Sequence, residues 1–176
     1  MKRATIFQTL RLYALAASTV LVAALAGAAI PMSGHELVFN ASPSVPRGFY
    51  WIRLGAAPTR RGEYVVFLPP AAAATLIYGR GWLPMSMPLL NPVGGVEGDR
   101  YCVKDGRFTI DDVEVGPVLL LDATGRWLPQ IGGCHRVGAG EFLPASSYIE
   151  RSFDGRYMGT VSVANALGTG RPLFTF

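Results

Sequence analysis

The hydrophobic and polar positions of this chain fall into two regimes. From Leu12 to Gly34 there is no charged side chain, and from Leu12 to Ile30 the run is apolar apart from two small hydroxyls, Ser18 and Thr19. A helix that crosses about 30 Å of hydrocarbon needs roughly 20 such residues. The run meets that requirement and predicts a spanning helix over residues 12–32, because a buried core helix would be shorter or carry a polar face. A cleaved leader is the competing reading, since Ala26-Gly27-Ala28 and Ala28-Ala29-Ile30 place small residues near a cut. The length of the stretch, and Pro31 directly after it, favour a retained anchor. Lys2, Arg3 and Arg11 precede the span with no acid among them, whereas His35 and Glu36 follow it. The positive-inside rule then puts residues 1–11 in the cytoplasm and the rest outside, which in a bacterium is the periplasm.

Beyond the anchor the pattern shortens. Glu36 to Asn40 reads as an extended lead-in. Residues 41–48 hold two prolines and a glycine, which forbid regular helix. Phe49–Arg53 and Glu63–Leu68 are strand candidates, aromatic and β-branched, with a turn region from Gly55 to Gly62 between them. Pro69-Pro70 opens a short helix over Ala71–Tyr78, and Gly79–Met87 is a loop carrying Trp82 and two methionines. The pattern returns to β at Leu89–Val93, Tyr101–Val103, Arg107–Ile110 and Val118–Leu121, punctuated by Gly and Asp as in antiparallel hairpins. The C-terminal third is rich in glycine and reads as irregular. With no internal repeat and no second domain, the expected fold is mainly β. It is a small twisted antiparallel domain over residues 35–176, carried on one N-terminal transmembrane helix.

Composition changes this picture little. The 176 residues allow one ordinary domain plus an anchor. The net charge of +4 is modest and the basic residues are scattered. No Lys/Arg stripe with interleaved aromatics argues for nucleic acid, and Arg60-Arg61 reads as a solvated turn. Cys102 and Cys134 are the two cysteines. An even pair in an exported domain favours a disulfide. The alternatives are a metal pair, which lacks further ligands, and a thiol nucleophile, for which neither local sequence argues.

Chemistry enters through a resemblance. Asn40-Ala41-Ser42-Pro43-Ser44-Val45-Pro46-Arg47-Gly48-Phe49-Tyr50-Trp51 resembles the nucleophile box of the TraF-type conjugative transfer signal peptidases, a branch of the signal peptidase I superfamily. That box reads roughly Asn-x-(Ser/Thr)-x-Ser-x-Pro-x-Gly-x-Tyr and follows the membrane anchor. Further boxes agree in order: Arg61–Phe67 with a Gly-Asp-x-Val strand, Leu83–Leu90 with the stretch before the general base, and Val93–Asp99 with the strand and turn after it. Ser152-Phe153-Asp154-Gly155-Arg156-Tyr157-Met158-Gly159 is similar to the late Asp-Ser-Arg-Tyr-x-Gly box.

The resemblance implies a serine endopeptidase that needs no metal or organic cofactor. Its substrate would be an exported precursor, most plausibly a conjugative pilin, cut at the inner membrane during assembly of a mating-pair apparatus. A serine hydroxyl is a weak nucleophile at neutral pH and needs an adjacent base, which in this superfamily is a neutral lysine. By carry-over Ser44 is the nucleophile, and the Ser42 hydroxyl joins the Ser44 N–H in the oxyanion hole. Asp154 orients the base or supports the strand beneath it, with Arg156 as its structural partner. Ser86, in Ser86-Met87-Pro88, is a rival nucleophile that lacks the spacing of the housekeeping enzymes.

The base position departs from the family. Where the pattern reads Leu-Leu-Lys-x-Val, this chain has Leu89-Leu90-Asn91-Pro92-Val93. An amide cannot accept the proton. Apart from Lys2 the only lysine is Lys104, in what reads as a hairpin turn, and the histidines are His35 and His135. Three accounts stay open: a weakened or inactive relative, an inactivated variant of a working enzyme, or rescue by another group. Two other functions compete. One is a non-catalytic binding module that keeps the groove, and the other is a housekeeping signal peptidase, whose large extra β domain is missing here.

Overall fold

The structure is a computed structural model and describes residue 13, residues 15–22 and residues 34–176. These fall into two units divided after Glu36. In the first unit residues 15–22 are helical, and Leu15, Val20, Leu21 and Val22 are exposed on it. The Ser18 and Thr19 hydroxyls both donate to the Leu15 carbonyl oxygen at 2.8 Å, which satisfies them within the helix. No helix among the described residues is long and apolar enough to cross a membrane. Most of the span expected over residues 12–32 lies outside the described residues.

The second unit is mainly β. Its larger sheet orders the strands β1 (His35–Asn40), β2 (Gly48–Leu54), β11 (Ala166–Thr175), β3 (Tyr64–Phe67), β4 (Leu89–Gly95), β9 (Glu141–Pro144) and β10 (Val161–Ser162). The smaller sheet orders β7 (Val113–Pro117), β6 (Arg107–Ile110), β5 (Arg100–Lys104) and β8 (Gly133–Arg136). The pairings among β2 to β11 are antiparallel. Two short helices complete the unit, α1 (Ala71–Gly79) and α2 (Gly155–Met158). The α1 helix follows the Pro69-Pro70 signal as expected.

The β3 strand shows why this sequence builds a central strand. All four of its residues are buried. Tyr64 and Val66 join Val45, Tyr50 and Ile52 on one face, and Val65 and Phe67 join Val93, Phe142 and Val161 on the other. That is the period-2 division of a strand covered on both sides. A third cluster clamps the small sheet onto the large one, with Tyr101, Phe108 and Ile110 packed against Leu143, Ala145 and Tyr157. In the small sheet Cys102 lies directly opposite Cys134 in the β5–β8 register, and the two form a disulfide.

Two expectations need correction. The glycine-rich C-terminal third is not irregular: β8 to β11 all lie there. Its glycines permit close backbone approach within strands. A Cβ on Gly170 would sit 1.9 Å from the Trp51 carbonyl oxygen of the neighbouring strand. Val118–Leu121 is not a strand either. The β7 strand precedes it and ends at Pro117, which has no N–H for a ladder. Only an isolated bridge from Leu121 to Trp127 remains.

Candidate active site

The loop from Ala41 to Arg47, between β1 and β2, is shaped by one side chain at its entrance. Asn40 is buried, and its Nδ2 donates to the carbonyl oxygens of Ser42 at 2.8 Å and of Val45 and Pro46 at 3.2 Å. Its Oδ1 accepts from the Ser42 N–H at 3.1 Å and from the Ser42 hydroxyl at 2.8 Å. From below, the Tyr50 hydroxyl donates to the Pro46 carbonyl at 2.6 Å. Burial, with Tyr148 nearby, pushes that phenol up to about 12. Val45 is buried in the core beneath the loop, while Ser44 beside it stays half-buried and lines a groove. A Cβ on Gly48 would lie 2.1 Å from the Phe174 carbonyl oxygen, so only glycine lets the loop join the sheet there.

The groove has a volume of about 600 Å³ and brings Ser42, Ser44 and Asn91 together with Trp82, Leu90 and Phe153. Among the described residues its lining contains no lysine, histidine or carboxylate, and Arg151 is the charged side chain on it. Asn91 sits on β4 opposite Val65 and is 2% exposed. Its Oδ1 is buried without a hydrogen-bond partner. The Ser152 hydroxyl, on a residue 0% exposed, is likewise unpartnered. An orphaned buried polar atom costs about 1–3 kcal/mol, so two of them mark places where packing has not decided the residue.

Asp154 does not line the groove. It caps α2, accepting from the Arg156 N–H at 3.1 Å. The Arg156 side chain spends its five N–H donors without going to water. It bonds Asp154 through Nε at 2.9 Å and Nη2 at 3.2 Å, and the carbonyls of Pro117, Glu150 and Ser146 at 2.9, 3.2 and 2.6 Å. It also lies over the Phe108 ring, 5.6 Å from the centroid. Burial pushes the Asp154 carboxyl up, and the Arg156 guanidinium and the N–H groups of Ser146 and Arg156 pull against it.

Ser146 carries this network to the loop. Its N–H donates to Asp154 Oδ2 at 2.9 Å, its carbonyl accepts from Arg156, and its hydroxyl donates to the Ser44 carbonyl. Asp154 therefore acts on the loop backbone through Ser146.

The other candidates lie elsewhere. Lys104 is exposed at the end of β5, and Ser86 is exposed at a φ of 63°; neither lines the groove. His135 is exposed on β8, stacked on Tyr101 with 5.3 Å between centroids and bonded through Nε2 to the Gly132 carbonyl at 2.7 Å. His35 is the first residue of β1 and does not line the groove. Sequence reasoning gave no role to Asn40, Ser146 or Ser152. Asn40 had a signal, as the polar residue ending an apolar extended segment just before a proline loop. Ser146 and Ser152 had none, because their roles exist only through tertiary contacts.

Against known proteins, residues 8–174 match the signal peptidase family, Peptidase S26. The chain is 30% identical over 163 residues to the plasmid transfer protein TraF of Escherichia coli, covering 86% of this chain and 89% of that protein. It is 33% identical over 172 residues to the conjugal transfer protein TraF of Agrobacterium tumefaciens strain 15955, covering 92% and 94%. A solved signal peptidase I from Enterococcus faecalis V583 overlaps 63% of this chain and 95% of its own, with a TM-score of 0.37 and 17% identity; at that level it adds nothing to the assignment. With nearly its whole length matched, and with relatives named for conjugal transfer, the chain belongs to the signal peptidase family, Peptidase S26.

Proposed function

We propose that this protein is a membrane-anchored serine endopeptidase that trims exported precursor proteins, with a conjugative pilin as substrate. The observation that carries the reading is the meeting of Ser44 and Asn91 in one groove, in a chain of the signal peptidase family. Ser44 Oγ attacks the scissile carbonyl, the amine leaves, and water hydrolyses the acyl-enzyme. The Ser44 N–H and the Ser42 hydroxyl receive the oxyanion. For that, Ser42 must turn from Asn40 Oδ1, where it donates in the free protein. Asn91 stands where the family places its base. Loss of general-base help costs roughly 10²–10⁴-fold, so the native chain is a slow enzyme.

The anchor over residues 12–32 holds the domain at the periplasmic face of the inner membrane. Support comes from the exposed Leu37 and Phe39 on β1, Phe49 on β2, and Leu173 and Phe174 on β11. These strands are neighbours, and an exposed row of Leu and Phe suits shallow insertion at a membrane surface.

The test is co-expression of the full chain with a tagged pilin-type precursor, read by mass after long induction. The reading expects a shortened precursor with the native chain and an uncut one with Ser44→Ala. A precursor left whole by the native chain, yet retained by it on affinity capture, would favour the second reading. That reading is a non-catalytic peptide-binding module, and Asn91 is the observation in its favour.

A further inference from the structure

Beside the groove lies a smaller cavity of about 160 Å³. The two adjoin, with Trp82, Arg151 and Phe153 lining both. A row of rings leads from one to the other. Trp82 meets Phe153 edge-on at 5.2 Å, and Phe153 stacks on Tyr157 at 5.3 Å. Leu119, Leu121 and Leu128 close the far side, and the Tyr157 hydroxyl is held by the Leu119 N–H at 2.9 Å. An apolar cavity of about 150 Å³ is known to hold a benzene-sized group. The space therefore fits one large aliphatic or aromatic side chain.

The charges around it are unequal. Asp122 is the single acid of the lining, and it is fully engaged. It accepts from Arg80 Nη1 at 2.9 Å, from Arg126 Nε at 2.9 Å, and from the N–H and hydroxyl of Thr124 at 2.9 and 2.7 Å. Arg80 also lies over the Trp82 ring at 5.4 Å, which fixes that wall. Arg151, at the junction of the two cavities, is exposed and makes no ion pair or side-chain hydrogen bond among the described residues. An apolar pocket thus adjoins the groove beside an unpaired guanidinium.

We infer that this pocket is a second side-chain subsite for the peptide in the groove. It takes a large apolar residue, and Arg151 pairs with a carboxylate next to that residue. The inference rests on the peptide-processing reading, and names a feature of the substrate. An extended peptide passing Ser44 would place successive side chains on alternate sides, so as the leucine enters the pocket its neighbouring acid stays on the groove side, and Arg151 lines both cavities.

The experiment measures binding without cleavage, on the full-length Ser44→Ala protein in detergent. The probes are twelve-residue peptides of Ala, Ser and Gly in which one Glu-Leu or Leu-Glu pair is moved stepwise along the chain. Binding is followed by tryptophan fluorescence and by calorimetry. One register should bind roughly tenfold more tightly than the peptide carrying Gln-Ala in its place. Arg151→Glu should remove that preference and transfer it to the matching Lys-Leu peptide. Ala123→Trp, which fills the cavity from an exposed position, should weaken the Leu peptide and leave its Ala counterpart unchanged. Equal binding of all registers, or a preference untouched by both variants, would overturn the subsite. The peptidase reading fails separately. If the Ser44 protein never cuts a precursor while the register preference holds, the subsite stands without the enzyme; cutting that ignores Arg151 and Ala123 leaves the enzyme without the subsite.

Discussion

The Ser146 hydroxyl donates to the carbonyl oxygen of Ser44, although 102 positions separate them in sequence. Ser146 is itself held through its backbone by Asp154 and Arg156. The loop that carries Ser44 is thus tied to the late box by one hydroxyl. Removing it with Ser146→Ala leaves the backbone bonds to Asp154 and Arg156 in place. The expected loss of stability is about 1 kcal/mol, read from the urea midpoint. In an active background kcat should fall on the order of tenfold with KM little changed, because position and not binding is lost. A kcat per folded enzyme that is unchanged, with the rate falling only as folded protein is lost, would assign Ser146 a structural role alone.

Arg156 and Asp154 are both 0% exposed and form an ion pair at 2.9 Å. Breaking a buried pair from one side leaves an uncompensated charge, at a cost of about 3–5 kcal/mol. Arg156→Met should therefore destabilise the domain by that amount. Arg156→Met combined with Asp154→Leu should recover a substantial part of it. Chemical denaturation of both variants checks this, and a double variant weaker than the single one would contradict it.

Tyr50 links the alkaline limit of stability to the loop that carries Ser44. Its phenol is pushed up to about 12 by burial and by Tyr148, whereas an unfolded tyrosine titrates near about 10. The folded state holds the proton more tightly, so the stabilising contribution is complete below pH 10. It is lost as pH rises from about 10 towards 12. A spectrophotometric tyrosine titration should show one late-ionising group fewer in Tyr50→Phe, with Tyr64, Tyr101 and Tyr157, which burial also pushes up, still ionising late. That variant should also lose the bond to the Pro46 carbonyl and with it about 1 kcal/mol at neutral pH.

Much of this molecule was legible in sequence where local pattern and tertiary environment agree. Phe49–Arg53 and Glu63–Leu68 alternate or run apolar because their strands have one or two covered faces, and α1 begins where two prolines permit a first turn. Glycine misled where it served sheet packing: Gly168 and Gly170 look like loop residues until β2 is seen pressed against them. Val118–Leu121 looked like a strand because apolar composition says nothing about the missing N–H of Pro117. The order of the boxes singled out Ser42, Ser44 and Asn91, and the fold brings these three into the lining of one groove. The hub role of Asn40, the tie from Ser146 and the unpartnered Ser152 were not legible, since each depends on groups brought from other elements by the fold.

The central claim is that Ser44 is a nucleophile in a groove that presents position 91 as the place of its base. Asn91→Lys tests it most directly, through the single-turnover rate of precursor cleavage by the full-length protein. The strand-fixed backbone of buried residue 91, paired opposite Val65, provides a rigid mount for an amine. Pro92 biases residue 91 towards extended geometry, as a strand facing a groove requires. The account predicts a rate roughly 10²–10⁴-fold above that of the native chain, abolished by adding Ser44→Ala. No cleavage by the Asn91→Lys form, with the precursor still bound, would contradict it.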